Sequence, residues 1–257
     1  MTEIHQTAVV ARGAELGSNV VVFPFAVIED DVIIGDSTTI GSNALIAAGT
    51  RIGKHCKIHH GAVLGTVPQD LKFGNEKTTL EIGDNTTIRE YCTLNRGTKN
   101  HLQTVVGGDC LLMAYVHVAH DCLIGNSVVL ANAVNMAGHV TIADHVGIGG
   151  MTPIHQFVHI GQHCFIGGGY RVSKDVPPFI LAAGEPLGYA GINSVGLRRR
   201  GFSNEVIDQL HKLYKILYRS NLNVSQALAQ IKMEFQLTGE IKQVVDFIEA
   251  SERGIIK

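Results

Sequence analysis

The sequence predicts a mainly β protein: a parallel β-helix of six-residue (hexapeptide) repeats followed by a small α-helical carboxy-terminal domain. Three observations predict this fold class. An aliphatic residue returns at every sixth position, a small residue usually follows it, and the spacing changes to a helical one near the end of the chain. The 257 residues are enough for one full-sized domain with a small appendage.

The six-residue repeat extends through about the first two thirds of the chain. From residue 4 to residue 172, 26 of the 29 positions in this register are aliphatic or methionine. The residue after each of these is glycine or alanine in 17 of the 26 cases, which we attribute to the tight corner expected there. Two inward positions in every six suit short strands joined by corners. If three repeats form one coil, residues eighteen apart stack along the prism.

Two polar stretches interrupt the repeat. They lie at about 66–79 and 96–104, where Asp70, Glu76 and Asn100 occupy positions that are aliphatic elsewhere. We expect both stretches to be loops that leave the solenoid.

The β-helix is predicted to span 1–178, because the pattern ends at two prolines that cannot donate to a strand ladder. An irregular connector, 179–202, is expected next. Ser203 is a candidate N-cap, and an apolar stripe at helical spacing follows it. Residues 203–257 are therefore predicted to form the helical domain.

Charge and composition bear on the class of function. A formal charge of −2 and a pI near 6.7 give no general attraction to nucleic acid or acidic membranes. No apolar run reaches the roughly 18 residues of a membrane helix, and no amino-terminal stretch shows a basic segment followed by an apolar run. We expect a cytoplasmic protein with no nucleic-acid partner and no integral membrane segment.

The cysteines share the small inward position, four residues after the aliphatic one. This register favours buried thiols over a disulfide framework or a zinc site. They are Cys56, Cys92, Cys110, Cys122 and Cys164.

Histidines are dense between residues 117 and 155, and His120 next to Asp121 is the pair best suited to general-base catalysis. A neutral imidazole accepts a proton near neutral pH, and a carboxylate can fix its tautomer. A backbone N–H near Gly138 could stabilise an oxyanion. The alternative is that adjacent side chains in a strand point to opposite faces, so that Asp121 never reaches His120. Corner histidines such as His145 and His163, eighteen apart, are expected to be exposed and to stack.

Several motifs, spread over both predicted domains, occur together. They are Gln69-Asp70-Leu71-Lys72, His117-Val118-Ala119-His120-Asp121-Cys122, Ala137-Gly138-His139-Val140, Gly149-Gly150-Met151-Thr152, His155-Gln156-Phe157, Asp175-Val176-Pro177-Pro178 and Gly196-Leu197-Arg198-Arg199-Arg200-Gly201-Phe202. With the repeats, they make the whole chain resemble the UDP-N-acetylglucosamine O-acyltransferases that open lipid A biosynthesis.

The resemblance implies a left-handed β-helix that assembles as a homotrimer with active sites in the clefts between subunits. It implies transfer of a long (R)-3-hydroxyacyl group to the 3-hydroxyl of UDP-N-acetylglucosamine. The donor would be acyl carrier protein, with the acyl group on its phosphopantetheine, and no other cofactor or metal is implied.

Site residues carried over from the resemblance fall into three groups. His120 would be the general base, Asp121 its partner and Gly138 the oxyanion donor. Gly168 would lie where acyl-chain length is set and leave room for a long chain, although it could simply be a corner glycine. The residues that would contact substrate are Gln69, Asp70, Lys72, His117, His139, His155, Gln156, Asn193, Arg199 and Arg200. Without the resemblance, the run of three arginines is more typical of a solvated charge cluster than of a binding site.

Two positions depart from the family pattern. Asn95 stands where the family often has histidine, and Val195 stands where an acidic residue is common. The choice between a 3-hydroxy and a 3-amino acceptor sugar therefore stays open.

Three other functions remain possible from the residues. The first is a trimeric zinc carbonic anhydrase, although His117 and His120 lack an obvious ligand spacing. The second is the related N-acyltransferase of the same pathway. That enzyme should carry an additional amino-terminal domain, and the repeats here begin at Ile4, which leaves no room for one. The third is a scaffold that binds a ligand without catalysis.

Overall fold

The structure, a computed structural model, describes all 257 residues, with 27 strands and four helices in chain order. The strands are β1 Glu3–Ile4, β2 Val9–Val10, β3 Glu15–Leu16, β4 Val21–Val22, β5 Val27–Ile28, β6 Ile33–Ile34, β7 Thr39–Ile40, β8 Leu45–Ile46, β9 Thr50–Ile52, β10 Lys57–Ile58, β11 Val63–Thr66, β12 Thr79–Ile82, β13 Thr87–Ile88, β14 Thr93–Asn95, β15 Gln103–Val106, β16 Leu111–Leu112, β17 His117–Val118, β18 Leu123–Ile124, β19 Val129–Leu130, β20 Asn135–Met136, β21 Thr141–Ile142, β22 Gly147–Ile148, β23 Pro153–Ile154, β24 His159–Ile160, β25 Phe165–Ile166, β26 Ile180–Ala183 and β27 Gly188–Ile192. The helices are α1 Ser194–Arg199, α2 Asn204–Arg219, α3 Val224–Glu234 and α4 Gly239–Ala250.

Three parallel sheets form the sides of a prism. The first sheet takes every third strand from β1 to β25 and ends with β26 and β27, which makes eleven strands. The second takes every third strand from β2 to β23, and the third from β3 to β24, with eight strands each. The chain thus passes from the first sheet to the second and third in every coil, and the predicted left-handed β-helix is confirmed.

Neighbouring coils keep their register across both loops. Lys57 pairs with Thr39, eighteen residues earlier, but with Thr87, thirty residues later. Thr87 in turn pairs with Leu111, twenty-four residues later. The segment between β11 and β12 therefore inserts twelve residues into one coil, and the segment between β14 and β15 inserts six into the next. Because both insertions are multiples of six, the inward register resumes after each loop.

The interior of the prism is filled by the residues of the six-residue register. They belong to one core of 60 buried hydrophobic residues that continues into the helical domain. All five cysteines lie in it as free thiols, so their predicted inward position is confirmed. Burial raises the pKa of Cys122 and of Cys164 to about 12, which leaves both thiols protonated and poor nucleophiles.

The small residue after each aliphatic position has a different cause from the tight corner that we expected. A Cβ on Gly35 would lie 2.6 Å from the backbone carbon of Gly53 in the next coil, and one on Gly53 would lie 2.3 Å from Asp84. At these two glycines, close approach of the neighbouring coil leaves no room for a side chain. The left-handed backbone conformation falls two residues later, on residues such as Asn19, which has φ of 57°.

The connector between the β-helix and the helical domain is ordered, contrary to the irregular segment that we expected. β26 continues the first sheet next to β25, and β27 pairs with β26 in an antiparallel hairpin. α1 follows the hairpin directly. β26 pairs with the hydrogen-bonding edge that β25 would otherwise leave open, and the alternation in this segment was too short to predict a strand.

Ser203 caps α2, with its side chain accepting from the Val206 N–H, as the sequence predicts. Tyr214 from α2 is fully buried, and its hydroxyl donates a 2.7 Å hydrogen bond to the Pro178 carbonyl. This contact ties the helices to the last coil. None of the four helices has both the length and the apolar composition that a membrane crossing requires.

Candidate active site

His120 and Asp121 form a hydrogen-bonded pair at one edge of the prism. The edge joins the second sheet to the third, and the pair lies in the corner between β17 and β18. His120 Nδ1 is 2.8 Å from Asp121 Oδ2. An ionised carboxylate only accepts hydrogen bonds, so Nδ1 carries the proton and Nε2 keeps a free lone pair. That tautomer is the one a general base needs.

The two adjacent side chains meet because they lie in a corner and not in a strand. Asp121 has φ of 60°, in the left-handed region, and its side chain is completely buried, whereas that of His120 is 15% exposed. The alternation of side chains that would separate neighbours holds only along an extended strand. The alternative that Asp121 never reaches His120 is therefore wrong.

The loop 96–102 surrounds Asp121 with donors that sequence reasoning missed. Oδ1 accepts hydrogen bonds from the backbone N–H groups of Thr98 and His101, at 2.9 and 3.3 Å. Oδ2 accepts one from the Thr98 hydroxyl at 2.7 Å, and the Thr104 hydroxyl accepts the Asp121 N–H at 2.8 Å. The only sequence signal was the polar break in the repeat at Asn100.

Burial alone would raise the pKa of the Asp121 carboxyl. Hydrogen bonds from Thr98 and His120, together with the nearby His139, outweigh burial, and the pKa lies below its usual value. Asp121 is therefore a buried carboxylate that remains ionised and is able to stabilise an imidazolium next to it.

Gly138 lies directly against the His120 ring in the next coil. A Cβ at this position would be 2.6 Å from Cε1 of His120, so only glycine leaves the ring in place. The Gly138 N–H donates no hydrogen bond within the protein, while the Gly138 carbonyl accepts a hydrogen bond from the Phe157 N–H. The corner thus presents a free donor next to the candidate base.

His139 closes the other side of the pair. Its ring is edge-on to that of His120 at 5.1 Å and stacked on that of Phe157 at 4.5 Å, and its Nε2 is 3.7 Å from Asp121 Oδ2. Burial lowers the pKa of His139. His101 from the loop lies edge-on to the same ring at 5.4 Å. The cluster therefore contains a third histidine, His101, that the motifs did not indicate.

Residues of the first loop reach the same edge. Asp70 is close enough to His139 for its charge to act on that imidazole. Asp70 Oδ1 accepts a hydrogen bond from the backbone N–H of Lys72. Gln69 and Lys72 are both exposed.

Three further predicted residues lie near this edge. His117 is on the outer face of the second sheet, where its Nδ1 is 2.7 Å from the Thr93 hydroxyl and burial lowers its pKa. His155 and Gln156 are exposed at the corner two coils above His120. The structure thus gathers most predicted site residues along one edge of the prism.

Asn193, Arg199 and Arg200 lie together elsewhere, at the edge that joins the third sheet to the first. They line a cavity of about 450 Å³ with His145 and Phe165. The Asn193 side chain caps α1 and donates to the His163 carbonyl at 2.9 Å. No salt bridge engages either arginine, so both guanidinium groups are available to an anion.

His163 lies beneath this second cluster. It stacks on His145 at 4.7 Å, as predicted, but it is only 8% exposed, so the expected exposure is wrong. Phe179 and Phe202, the first and last residues of the connector, cover the His163 ring. Burial, with His145 and Arg200 nearby, lowers the pKa of His163 to about 4.

Gly168 lies at the third edge, between the first and second sheets, and is exposed. It stacks above Gly150, whose carbonyl would be 3.0 Å from a Cβ at Gly168. The two positions that depart from the family pattern are also placed: Asn95 is buried at the root of the first loop, and Val195 lines the arginine cavity.

One group of side chains has the composition of a metal site. Ligand atoms of His120, Asp121 and His139 lie within 4.8 Å of one another. Asp121 already accepts hydrogen bonds on both oxygens from the loop 96–102. A metal would have to compete with these hydrogen bonds and with the His120–Asp121 contact.

Known proteins resemble this chain over its whole length. The family model for UDP N-acetylglucosamine O-acyltransferase, domain 2, matches residues 175–256, and the bacterial transferase hexapeptide model matches residues 13–48 and 31–66. Proteins from Thiobacillus denitrificans and Thermodesulfovibrio yellowstonii are 44% and 45% identical, with 100% of each chain covered. Both are named as O-acyltransferases that act with acyl-acyl-carrier-protein and UDP-N-acetylglucosamine.

Solved structures agree with this similarity. The UDP-N-acetylglucosamine acyltransferase from Campylobacter jejuni superposes with a TM-score of 0.93 at 38% identity, with 99% of both chains covered. That from Francisella novicida gives 0.94 at 37% identity, with 98% of this chain and 93% of the other covered. With the motifs placed in a common fold, the chain belongs to the UDP-N-acetylglucosamine O-acyltransferase family.

Proposed function

We propose that the protein transfers a long (R)-3-hydroxyacyl group from acyl carrier protein to the 3-hydroxyl of UDP-N-acetylglucosamine. The observation that carries the proposal is the His120–Asp121 pair at 2.8 Å, with Nε2 of His120 free and the Gly138 N–H beside it. The relatives' names supply the donor and the acceptor.

In the proposed reaction, His120 Nε2 removes the proton from the sugar hydroxyl as its oxygen attacks the thioester carbonyl. The Gly138 N–H donates to the oxyanion of the tetrahedral intermediate. The intermediate collapses by breaking the carbon–sulfur bond, and the imidazolium of His120 protonates the departing thiolate of phosphopantetheine. Asp121, ionised and buried, stabilises the imidazolium between the two steps.

The remaining residues hold the substrates. We assign Gln69, Asp70 and Lys72 of the first loop to the sugar and the acyl hydroxyl, and Asn193, Arg199 and Arg200 to the nucleotide phosphates. The other histidines, with Gln156, orient the sugar nucleotide. A guanidinium fork suits a diphosphate, and the arginine cavity of about 450 Å³ has the volume of a small-molecule site. We place the end of the acyl chain at Gly168, where the exposed glycine leaves room.

We infer a homotrimer with sites between subunits. The base and the arginines lie on different edges of the prism within one chain, and the cavity of the arginines contains no residue of the His120 cluster. A prism edge of one copy meeting the next edge of another would bring the two clusters together. We also place the reaction in the cytoplasm, which the five free thiols fit.

Two residues bear on the choice of acceptor sugar. Val195 puts an apolar side chain into the arginine cavity where the family often has an acid, and Asn95 anchors the first loop in place of a histidine. We propose the 3-hydroxy sugar, with the 3-amino sugar as the variant to test next.

The decisive experiment incubates the purified protein with UDP-N-acetylglucosamine and a panel of 3-hydroxyacyl carrier proteins, followed by mass spectrometry of the sugar nucleotide. We expect acylated product from the wild type. We expect His120→Ala to lower kcat by about 10²- to 10⁴-fold, since it removes the base. His55→Ala is the matched control, because His55 is an exposed corner histidine far down the same prism.

Equal turnover by His120→Ala and wild type would refute His120 as the base. Binding of the sugar nucleotide without any product would favour a scaffold. Absence of product with every donor and both acceptor sugars would refute the proposed reaction. Tightly bound zinc near one per subunit would then favour the metal site of His120, Asp121 and His139.

A further inference from the structure

The loop 96–102 leaves the solenoid and returns over a single target, the carboxylate of Asp121. Of the four hydrogen bonds of 3.3 Å or less that the Asp121 carboxylate accepts, two come from Thr98, one from its backbone N–H and one from its hydroxyl. Thr98 is 3% exposed and Asp121 is not exposed at all, so water cannot replace these donors.

The two Thr98 bonds act on different oxygens. The N–H holds Oδ1 and the hydroxyl holds Oδ2, which is also the oxygen that contacts His120. Two donors on two oxygens fix the rotation of the carboxylate about its Cβ–Cγ bond. Asp121 in turn fixes the ring of His120, so the geometry of the base depends on the loop.

We infer that Thr98 is a positioning residue for the His120–Asp121 pair, and that the loop 96–102 exists to deliver it. This inference rests on the proposed function and deepens it. Thr98 makes no hydrogen bond to His120; it acts through Asp121. Loss of the hydroxyl leaves Oδ2 free to turn away from His120, so that Nε2 is no longer held where it meets the acceptor hydroxyl.

The test compares Thr98→Val, which has nearly the same shape but no hydroxyl, with Thr98→Ser, which keeps the hydroxyl. We expect Thr98→Val to lower kcat by about 10- to 100-fold, the effect of a misplaced catalytic group, with little change in KM for the sugar nucleotide. We expect Thr98→Ser to recover most of the loss. Thermal unfolding of each variant shows whether it is folded.

Thr86→Val is the matched control for a buried threonine hydroxyl. Thr86 is fully buried in the same fold, and its hydroxyl donates to the Gly107 carbonyl at 2.8 Å, away from Asp121. We expect it to lower the melting temperature and leave kcat unchanged.

A double variant separates positioning from general stability. On a His120→Ala background, Thr98→Val should cause no further loss of kcat, since the group that it positions is already absent. The inference is overturned if Thr98→Val keeps wild-type kcat, if Thr98→Ser is no better, or if the loss is the same on both backgrounds. An inactive wild type would instead refute the proposed function.

Discussion

At the scale of single residues, environment separates histidines that look alike in the sequence. His120 is partly exposed with one nitrogen free, whereas His163 is buried and its Nδ1 has no hydrogen-bond partner. His139 lies between, with its ring stacked on Phe157. Burial and partners, and not residue type, therefore assign these imidazoles to different roles.

His163 makes stability depend on pH. The pKa of His163 in the folded protein is about 4, below the usual histidine value of 6.5. At a pH between these two values, His163 therefore binds a proton in the unfolded chain but not in the folded protein. Stability is therefore lost as the pH falls from about 6.5 towards about 4. At pH 5 we expect His163 to cost about 2 kcal/mol of unfolding free energy relative to pH 7.5.

The matching variant is His163→Phe, which keeps an aromatic ring between His145 and Phe179 and cannot be protonated. Urea unfolding at pH 7.5 and pH 5, at one protein concentration, should show a smaller pH loss for this variant than for the wild type. His55→Phe, at an exposed corner, should keep the wild-type pH dependence. An equal loss in His163→Phe would show that the proton is bound elsewhere.

At the scale of elements, α2 makes one buried hydrogen bond to the β-helix, from the Tyr214 hydroxyl to the Pro178 carbonyl. The Tyr214 ring also stacks near Tyr189 and Tyr218, at 5.5 and 5.9 Å. Its packing and its hydrogen bond are therefore separable by substitution.

Tyr214→Phe should keep the stacking and leave the Pro178 carbonyl without its donor, at a cost of about 1–3 kcal/mol. Hydrogen exchange should become faster in α2, while exchange in the coils around β17 stays as in the wild type. Tyr115→Phe, at an exposed corner, is the control and should change neither. Unchanged exchange in α2 would show that the hydrogen bond does not hold the helix.

At the scale of the whole molecule, the two clusters of candidate site residues lie on different edges of one prism. The inferred trimer predicts that a complete site combines His120 of one copy with Arg200 of the next. Each of His120→Ala and Arg200→Ala should lose most activity alone, because every site lacks one group.

Mixed trimers of the two variants should regain activity. With random assembly, roughly a quarter of the sites take their base and their arginine from intact copies, so activity should approach a quarter of the wild-type value. The measurement is the activity of a co-expressed mixture, with separately purified variants as controls. No recovery would place each site within one chain.

Much of this architecture could be predicted from the sequence, because a solenoid repeats one local contact pattern. Away from the two loops, each coil packs on the residues eighteen positions away. The six-residue register of Ile28, Ile46 and Cys56 therefore specifies that their side chains lie in the core. The start of α2 at Ser203 was also local, since a helix cap involves residues three apart.

Contacts that depend on chain returning from elsewhere could not be predicted in this way. Thr98 reaches Asp121 because a six-residue insertion folds back on the corner, and Phe179 and Phe202 bury His163 because the connector crosses the edge. Arg200 and His120 are separate because their segments lie at different edges of the prism. The periodic pattern specifies the inward side chains, whereas the outward ones acquire their neighbours only when loops, connector and coils are placed in space.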